Sequence, residues 1–187
     1  MALDADTKLV LSWLVGERTL ADAYQFIADM RSRIKGRFQL TSDGLRLYLT
    51  VTDALLRDRV DYAVLHKLYG AAKDDERRYS PARCIGVEGR AVMGDPDPER
   101  IISTSYVERQ NLTMRMSMRR FTRLTNGFSR KIENHTAAVS LHYAAYNFAR
   151  PPRTLTKANN GYPTTPAMAA VVADHVWTLH EIAGLLN

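Results

Sequence analysis

The sequence predicts an α/β fold, a mixed sheet flanked by helices, with a core of residues 1–150 and a tail of residues 151–187. Short apolar, β-branched runs alternate with segments whose apolar residues recur every three or four positions. The composition, 45% hydrophobic and 25% charged, is that of a globular protein and excludes disordered and fibrous classes. The chain of 187 residues is long enough for one sizeable hydrophobic core.

The chain begins with a predicted strand and helix. Residues 7–15 (TKLVLSWLV) form a near-continuous apolar run closed by Gly16, which is typical of a strand buried on both faces. Thr19 and Asp22 have the spacing of a capping-box-like helix start. Apolar residues then recur at helical spacing as far as Ile34, which predicts an amphipathic helix of about four turns.

Two more strands are predicted on either side of a second helix. Residues 38–42 (FQLTS) form a short strand pattern that ends at the turn pair Asp43-Gly44. Apolar residues from 47 to 56 predict the helix, and residues 60–68 (VDYAVLHKL) predict the next strand.

The segment 70–98 breaks this alternation, because it combines a charged run with several prolines and glycines. We expect a long, partly ordered insertion at about 70–100. Two long helices are predicted after it, over 105–124 and 132–148, with a turn at Asn126-Gly127 between them.

The tail is predicted to be extended as far as Tyr162 and then to form two short helices. Thr165 and Pro166 are an N-cap residue and a proline at the first helical position. Thr178 and Glu181 match a capping box.

The basic surplus of the chain is concentrated in one stretch. Lys and Arg number 26 against 20 Asp and Glu, a net charge of +6. Seven basic residues and no acidic ones occur between positions 109 and 131: Arg109, Arg115, Arg119, Arg120, Arg123, Arg130 and Lys131. Such clustering suits a polyanionic partner.

The predicted helix 105–124 has one polar and one apolar side. On a helical wheel, Glu108, Arg115 and Arg119 share one narrow arc, whereas Met114 lies on the opposite side. A ladder of arginines suits phosphate backbones. The alternative is an ordinary solvated face, and the pattern alone leaves both interpretations open.

Two acidic residues are candidates for a metal site. Asp43 lies at the carboxyl end of a predicted strand, where α/β folds build their sites, although it is also an ordinary turn aspartate before a glycine. Glu108 begins the basic helix, although Ser105 and Glu108 also match a helix cap. Carboxylates at a strand end and at the start of a basic helix would suit phosphoryl transfer assisted by Mg²⁺.

Six segments together carry a family resemblance. They are 4–9 (DADTKL), 40–44 (LTSDG), 103–115 (STSYVERQNLTMR), 120–129 (RFTRLTNGFS), 150–155 (RPPRTL) and 165–170 (TPAMAA). The chain resembles the catalytic domain of a bacterial insertion-sequence transposase, in the group related to the first-described insertion sequence. The resemblance extends over nearly the whole chain, and the Glu-Arg-x-Asn-Leu run that begins at Glu108 is its most specific part.

The resemblance implies a ribonuclease-H-like fold with an Asp-Asp-Glu triad. In that family the triad binds two Mg²⁺ or Mn²⁺ ions for DNA cleavage and strand transfer. Asp43 matches the second acid and Glu108 the third. The implied partners are DNA, at the element ends and the target, and further copies of the chain. The residues that we expect to contact DNA are Arg109, Asn111, Arg115, Arg119 and Arg123.

The family's first strand, an Asp-Glu-x-Trp-like segment that carries the first acid, has no counterpart here. Asp4 and Asp6 match the turn between the family's second and third strands. We therefore expect a chain truncated at its N-terminus, with weak or no catalysis, because two metal ions need carboxylates that bridge them. The alternatives are a non-catalytic DNA-binding remnant that competes with full-length transposase, and a nuclease in which Asp4 or Asp6 replaces the first acid.

Other classes of function are disfavoured. Cys84 is the only cysteine, which excludes an internal disulfide and a cysteine metal cluster. His135 and His142 lie seven residues apart without a third zinc ligand. From the sequence we expect no signal peptide, no membrane-spanning run and no glycine-rich phosphate loop. We expect a cytoplasmic bacterial protein without a nucleotide cofactor.

Overall fold

A computed structural model describes residues 1–70, 84–100, 104–122 and 126–185. It is a mixed α/β structure, in agreement with the predicted class. The chain divides into two compact units: a terminal unit, Met1–Val15 with Tyr106–Asn187, and a central unit, Gly16–Ser105. The predicted boundary at residue 150 lies within the terminal unit.

The strands are β1 (Ala2–Leu3), β2 (Val10–Ser12), β3 (Phe38–Asp43), β4 (Val60–Tyr69) and β5 (Cys84–Met93). The α-helices are α1 (Leu20–Arg33), α2 (Arg46–Leu56), α3 (Ser105–Ser117), α4 (Ile132–Ala144), α5 (Arg153–Ala158), α6 (Pro166–Ala169) and α7 (Leu179–Gly184). A π-helical turn, Ala145–Ala149, continues α4. None of the helices in the described ranges has both the length and the apolar composition that crossing a bilayer requires.

The central unit is built on a three-stranded mixed sheet of order β3-β4-β5. β3 and β4 are parallel and are joined through α2, as a parallel pair requires a crossover connection. β4 and β5 are antiparallel. In the parallel pair Asp43, the last residue of β3, is in register with Leu65.

Burial of α1, α2 and β4 gives the central unit its core. The first half of β4 is buried, at Val60 and from Tyr62 to Leu65. The buried apolar residues of this unit are Ala23, Phe26, Ile27, Met30, Val51, Leu56, Val60, Tyr62, Ala63, Val64 and Leu65. α1 begins at the predicted cap, since the Thr19 hydroxyl accepts a hydrogen bond from the Asp22 N–H at 3.1 Å.

The terminal unit begins with a hairpin of β1 and β2. Asp4 forms its turn: the Asp4 N–H donates to the Leu9 carbonyl, and the Asp4 carbonyl accepts from the Lys8 N–H, each at 2.9 Å. The predicted strand 7–15 is wrong in extent, because only Val10–Ser12 is paired, and it pairs with β1 alone among the described strands.

The core of the terminal unit lies between the hairpin, α3 and α4. It consists of Val10, Met114, Val139 and Tyr143, with partly buried apolar residues around them. The predicted helix 132–148 is confirmed by α4 and its π-helical continuation.

The short helices of the tail begin where the sequence predicts. The Thr165 hydroxyl accepts from the Met168 N–H at 3.2 Å, with Pro166 at the first helical position. Thr178 and Glu181 form a complete capping box at the start of α7. The predicted extended segment before Tyr162 is wrong, because α5 forms there.

Two further predictions are corrected by the structure. The insertion predicted at 70–100 contains the ten-residue strand β5 and a 3₁₀ turn, Pro98–Arg100, and its residues 71–83 lie outside the described residues. The helix predicted over 105–124 ends at Ser117, because Met118 is extended (φ −123°, ψ 109°) and a separate 3₁₀ turn, Arg119–Phe121, follows.

Candidate nucleic-acid interface and carboxylates

Helix α3 presents a polar face because its other face is anchored in the core of the terminal unit. Gln110 is 3% exposed and Met114 is 7% exposed, and Met114 packs in the cluster with Val10 and Tyr143. The exposed residues of the helix are Ser105, Tyr106, Glu108, Arg109, Asn111, Leu112, Arg115, Met116 and Ser117. The structure therefore confirms that the predicted polar arc of Glu108 and Arg115 faces outward.

Three of the arginines predicted to contact DNA are exposed and unpaired in the part of the chain that the structure describes. Arg109 and Arg115 lie on α3, and Arg119 lies in the 3₁₀ turn after it. Their side chains have no hydrogen-bond or ion-pair partner among the described residues. Asn111 is likewise exposed on α3. Arg123, the fifth predicted DNA contact, lies outside the described residues.

Arg120 has a structural role that the sequence did not indicate. Its Nη1 donates to the Ser129 hydroxyl at 2.8 Å and to the Asn134 carbonyl at 2.9 Å. These bonds join the 3₁₀ turn that contains Arg119 to the segment that contains Arg130. The two hydrogen bonds of Arg120 therefore fix the 3₁₀ turn of Arg119 to the segment 129–134.

Five exposed basic residues of the terminal unit lie on α3, in the 3₁₀ turn after it and just before α4. Arg130 and Lys131, which precede α4, are exposed and have no ion-pair partner among the described residues. We call Arg109, Arg115, Arg119, Arg130 and Lys131 the basic surface. The nearest acidic residues in sequence are Glu108 before it and Glu133 after it.

Phe128 is a further candidate contact with nucleic acid. Its side chain is 66% exposed, between the 3₁₀ turn and Arg130. An exposed aromatic ring beside basic side chains can stack on an unpaired nucleic-acid base. The available sequence signal was an aromatic residue inside the basic stretch 120–131.

Asp43 lies at the carboxyl end of β3, as predicted, and its side chain is exposed. Among the described residues its carboxylate has no hydrogen-bond or ion-pair partner. Burial raises the pKa of Tyr48 and of Tyr62, and the negative charge of Asp43 raises both further. The Tyr62 hydroxyl also lies 2.6 Å from the Ser42 hydroxyl.

Gly44, the residue after Asp43, is in close contact with His66 of β4. A Cβ atom at position 44 would lie 2.7 Å from His66 Cε1. Glycine at this position therefore allows the imidazole ring to pack against the end of β3. His66 could not be identified from local sequence pattern, because its position beside Gly44 depends on the pairing of two strands.

The two candidate metal ligands belong to different units. Asp43 is in the central unit, and Glu108 is in the first turn of α3 in the terminal unit. A solvent-exposed carboxylate such as Asp43 has the oxygen donors that Mg²⁺ and Mn²⁺ prefer. Among the described residues, no three His, Cys, Asp or Glu side chains form a group that could hold a metal ion.

Asp4 already has partners within its own hairpin. Its Oδ2 accepts from the Thr7 N–H at 3.2 Å and also from the Thr7 hydroxyl. This is the contact pattern of a turn aspartate. Asp4 lies in the turn between β1 and β2, and the role of replacement acid would require these bonds to be exchanged.

The two histidines considered for zinc pack against aromatic rings. The His135 ring centroid is 5.0 Å from that of Phe121, and the His142 centroid is 5.3 Å from that of Tyr143. Burial, with a smaller effect of Arg150, lowers the pKa of His142. Both are therefore packing residues of the terminal unit.

No protein-family model, curated protein or solved structure matches the chain.

Proposed function

We propose that the protein binds DNA through the basic surface and acts as an insertion-sequence transposase, with Asp43 and Glu108 as metal-binding carboxylates. The single observation that carries the DNA-binding part is the exposure, within positions 109 to 131, of five basic side chains that have no partner among the described residues. The catalytic part, including a ribonuclease-H-like arrangement of the fold, rests on the sequence resemblance and on the positions of the two acids.

The basic surface suits the phosphate backbone of DNA. Each Lys or Arg that neutralises a phosphate releases a condensed counterion, which makes the affinity depend on salt. Arg109 and Arg115 lie six residues apart on α3, and the Arg120 bonds hold Arg119 near the segment of Arg130. Guanidinium groups that are not paired within the protein keep their donors for phosphate oxygens.

The proposed catalytic carboxylates have distinct local settings. Asp43 is the last residue of β3, and its side chain is exposed to solvent. Glu108 lies in the first turn of α3, where the helix dipole stabilises a negative charge. A bound Mg²⁺ or Mn²⁺ would supply the positive charge that phosphoryl transfer needs. Each of the two carboxylates would offer oxygen ligands to such an ion.

The DNA-binding proposal is tested by the salt dependence of affinity. Fluorescence anisotropy with a labelled 25-base-pair duplex, between 50 and 200 mM NaCl, gives the slope of log K against log salt concentration. We expect Arg115→Ala and Arg130→Ala each to reduce the slope by about 0.9, the value for one phosphate contact.

Arg33→Ala is the matched control. Arg33 lies on α1 of the central unit, where it is ion-paired with Asp29 at 2.9 Å. Its substitution by Ala removes one positive charge, as Arg115→Ala and Arg130→Ala do. It should leave the slope unchanged. Equal effects of all three substitutions, or no effect of Arg115→Ala and Arg130→Ala, would remove the basic surface from the interface.

The catalytic proposal is tested by nicking of supercoiled plasmid with Mg²⁺ or Mn²⁺. We expect Asp43→Asn and Glu108→Gln to abolish nicking and Glu133→Gln, which changes an exposed carboxylate on α4, to retain it. An inactive wild-type chain with salt-sensitive DNA binding would reject the catalytic part and support the non-catalytic alternative. Activity lost in Asp4→Asn as well would support Asp4 as the replacement acid.

A further inference from the structure

Strand β5 is an exposed edge of the central sheet. It pairs with β4 on one side, and among the described strands none pairs with its other side. Eight of its ten residues are exposed, including Ile85 at 68% and Val87 at 53%. Unpaired N–H and C=O groups along a long apolar edge are a template for another strand.

The charges on β5 are placed symmetrically about Gly89. Glu88 and Arg90 flank this residue, both are exposed, and neither has an ion-pair partner among the described residues. Within the sheet Glu88 lies opposite His66 and Arg90 lies opposite Val64, so no acidic side chain of β4 faces Arg90. The outer edge therefore presents one negative and one positive charge two residues apart.

A second copy of the strand complements this pattern. In an antiparallel pair centred on Gly89, each Glu88 lies directly opposite the Arg90 of the other copy, and each Val87 lies opposite an Ala91. Directly opposite residues point to the same face and are in contact, so the dimer contains two identical ion pairs. The contact uses the same patch twice and closes on itself.

We propose that the protein forms a homodimer through antiparallel pairing of β5 with β5 of a second copy, in the register centred on Gly89. The pairing joins two three-stranded sheets into one continuous six-stranded sheet. Charges at a sheet edge usually prevent self-association because they repel. Here the two-residue spacing of Glu88 and Arg90 places opposite charges against each other in the register centred on Gly89, so the charges attract and favour that register.

Charge exchange tests the partner and the register together. Sedimentation equilibrium of the full chain, from 1 to 100 µM, should give a concentration-dependent dimer. Glu88→Arg and Arg90→Glu each place like charges opposite one another, and we expect each to raise the dimer dissociation constant at least about tenfold. The double variant E88R/R90E should restore the wild-type constant.

Mixing the two single variants gives a sharper result. The E88R chain has two positive charges on the strand and the R90E chain has two negative ones, so they should form a heterodimer although neither forms a homodimer. A monomeric wild-type chain over the whole range, single variants that dimerise like the wild type, or the absence of the heterodimer would overturn the proposal.

A cross-link measures the register without depending on charge. In a Cys84→Ser background, Gly89→Cys places two thiols opposite one another, within the Cα separation that a disulfide allows. Val87→Cys is the matched control, because its two copies would be offset by four residues, about 13 Å along the strand. Oxidation should yield a covalent dimer for Gly89→Cys alone. Equal yields for both variants would show that the strands have no fixed register.

Discussion

The side chain of Asn147 completes the backbone hydrogen bonds of Val10, 137 residues earlier in the chain. Its Oδ1 accepts from the Val10 N–H at 3.0 Å, and its Nδ2 donates to the Val10 carbonyl at 2.9 Å. Both residues are buried. The Asn147 amide, in the π-helical turn that continues α4, therefore bonds β2 as the backbone of a neighbouring strand would.

Asn147→Leu should destabilise the terminal unit. The substitution leaves the buried N–H and C=O of Val10 without partners, and each costs about 1–3 kcal/mol. We expect the free energy of unfolding, measured in urea, to fall by about 2–4 kcal/mol. Asn134→Leu, at an exposed position on α4, should change it by less than about 0.5 kcal/mol. A small effect at Asn147 would show that water replaces the amide.

Gly94→Ala should disrupt an ion pair in the central unit. Gly94 has φ +66°, and a Cβ there would collide with the Asp61 carboxylate and approach Arg37 Nη2 at 2.8 Å. The Arg37 guanidinium, with the Asp95 N–H, lowers the pKa of Asp61 to about 2. We therefore expect the substitution to raise the pKa of Asp61 towards its ordinary value, as followed by NMR titration.

Gly36→Ala is the control for Gly94→Ala, because it separates the cost of backbone strain from the cost of displacing Asp61. Gly36 has φ +74° but nothing within 4 Å of its added Cβ. It should lose about 1 kcal/mol of unfolding free energy from backbone strain alone. Gly94→Ala should lose more, because it also displaces Asp61. Equal losses would mean that the ion pair adjusts without cost.

Val171→Gly should stabilise the tail. α6 ends in a Schellman motif, in which the Val171 N–H donates to the Met168 carbonyl at 3.0 Å and the Val172 N–H donates to the Ala167 carbonyl at 2.8 Å. Val171 has φ +57°, a left-handed conformation that glycine adopts freely and β-branched residues avoid. We expect a gain of about 0.5–1 kcal/mol by urea unfolding. Val172→Gly is the control and should give no gain.

The order of α7 should depend on pH in two opposite ways. His175 lies 2.6 Å from the Asp174 carboxylate and 2.7 Å from that of Glu181, and these contacts raise its pKa. Its contribution is present below its ordinary pKa of 6.5 and is lost as pH rises through the raised pKa. The Thr178 N–H, His175 and the Thr178 hydroxyl lower the pKa of Glu181 to about 2.

The contribution of Glu181 is present above its ordinary pKa of 4.5 and is lost as pH falls through about 2. We therefore expect α7 to be most ordered between pH 4.5 and 6.5, as measured by ¹⁵N relaxation of its amides. His175→Gln should remove the loss of order at high pH and keep the loss at low pH. A profile that is flat from pH 5 to 9 in the wild type would contradict the role of His175.

Helix starts were predictable because each depends on about four consecutive residues. The caps at Thr19, Thr165 and Thr178 form where the pattern indicates. At Thr19 only half of the box forms, because the Asp22 carboxylate accepts from the Glu17 N–H at 2.6 Å instead. The spacing of Thr19 and Asp22 does not show whether the Asp22 carboxylate accepts from the N–H of Thr19 or from that of Glu17.

β5 and the end of α3 were not predictable from local pattern. The glycines and charges of β5 favour a turn, and the strand forms through pairing with β4. Periodicity correctly placed Met114 on the inner side of α3. It did not show that Met118 reaches the core from an extended backbone after the helix has ended.

The candidate site was predictable only in its parts. The sequence placed Asp43 at a strand end and Glu108 in a first helical turn, and the structure agrees. The contact of His66 with Gly44 and the bonding of Arg120 to Ser129 depend on segments distant in sequence. Such contacts follow from tertiary packing, which periodicity does not encode.

The terminal unit is assembled from the two ends of the chain, with the central unit between them in sequence. During synthesis the hairpin of β1 and β2 is made before its core partners, because Met114, Val139, Tyr143 and Asn147 follow it by more than a hundred residues. The central unit, being continuous, can fold in that interval. The apolar side chains of β2 therefore stay uncovered until the residues that bury them, from Met114 onward, have been made.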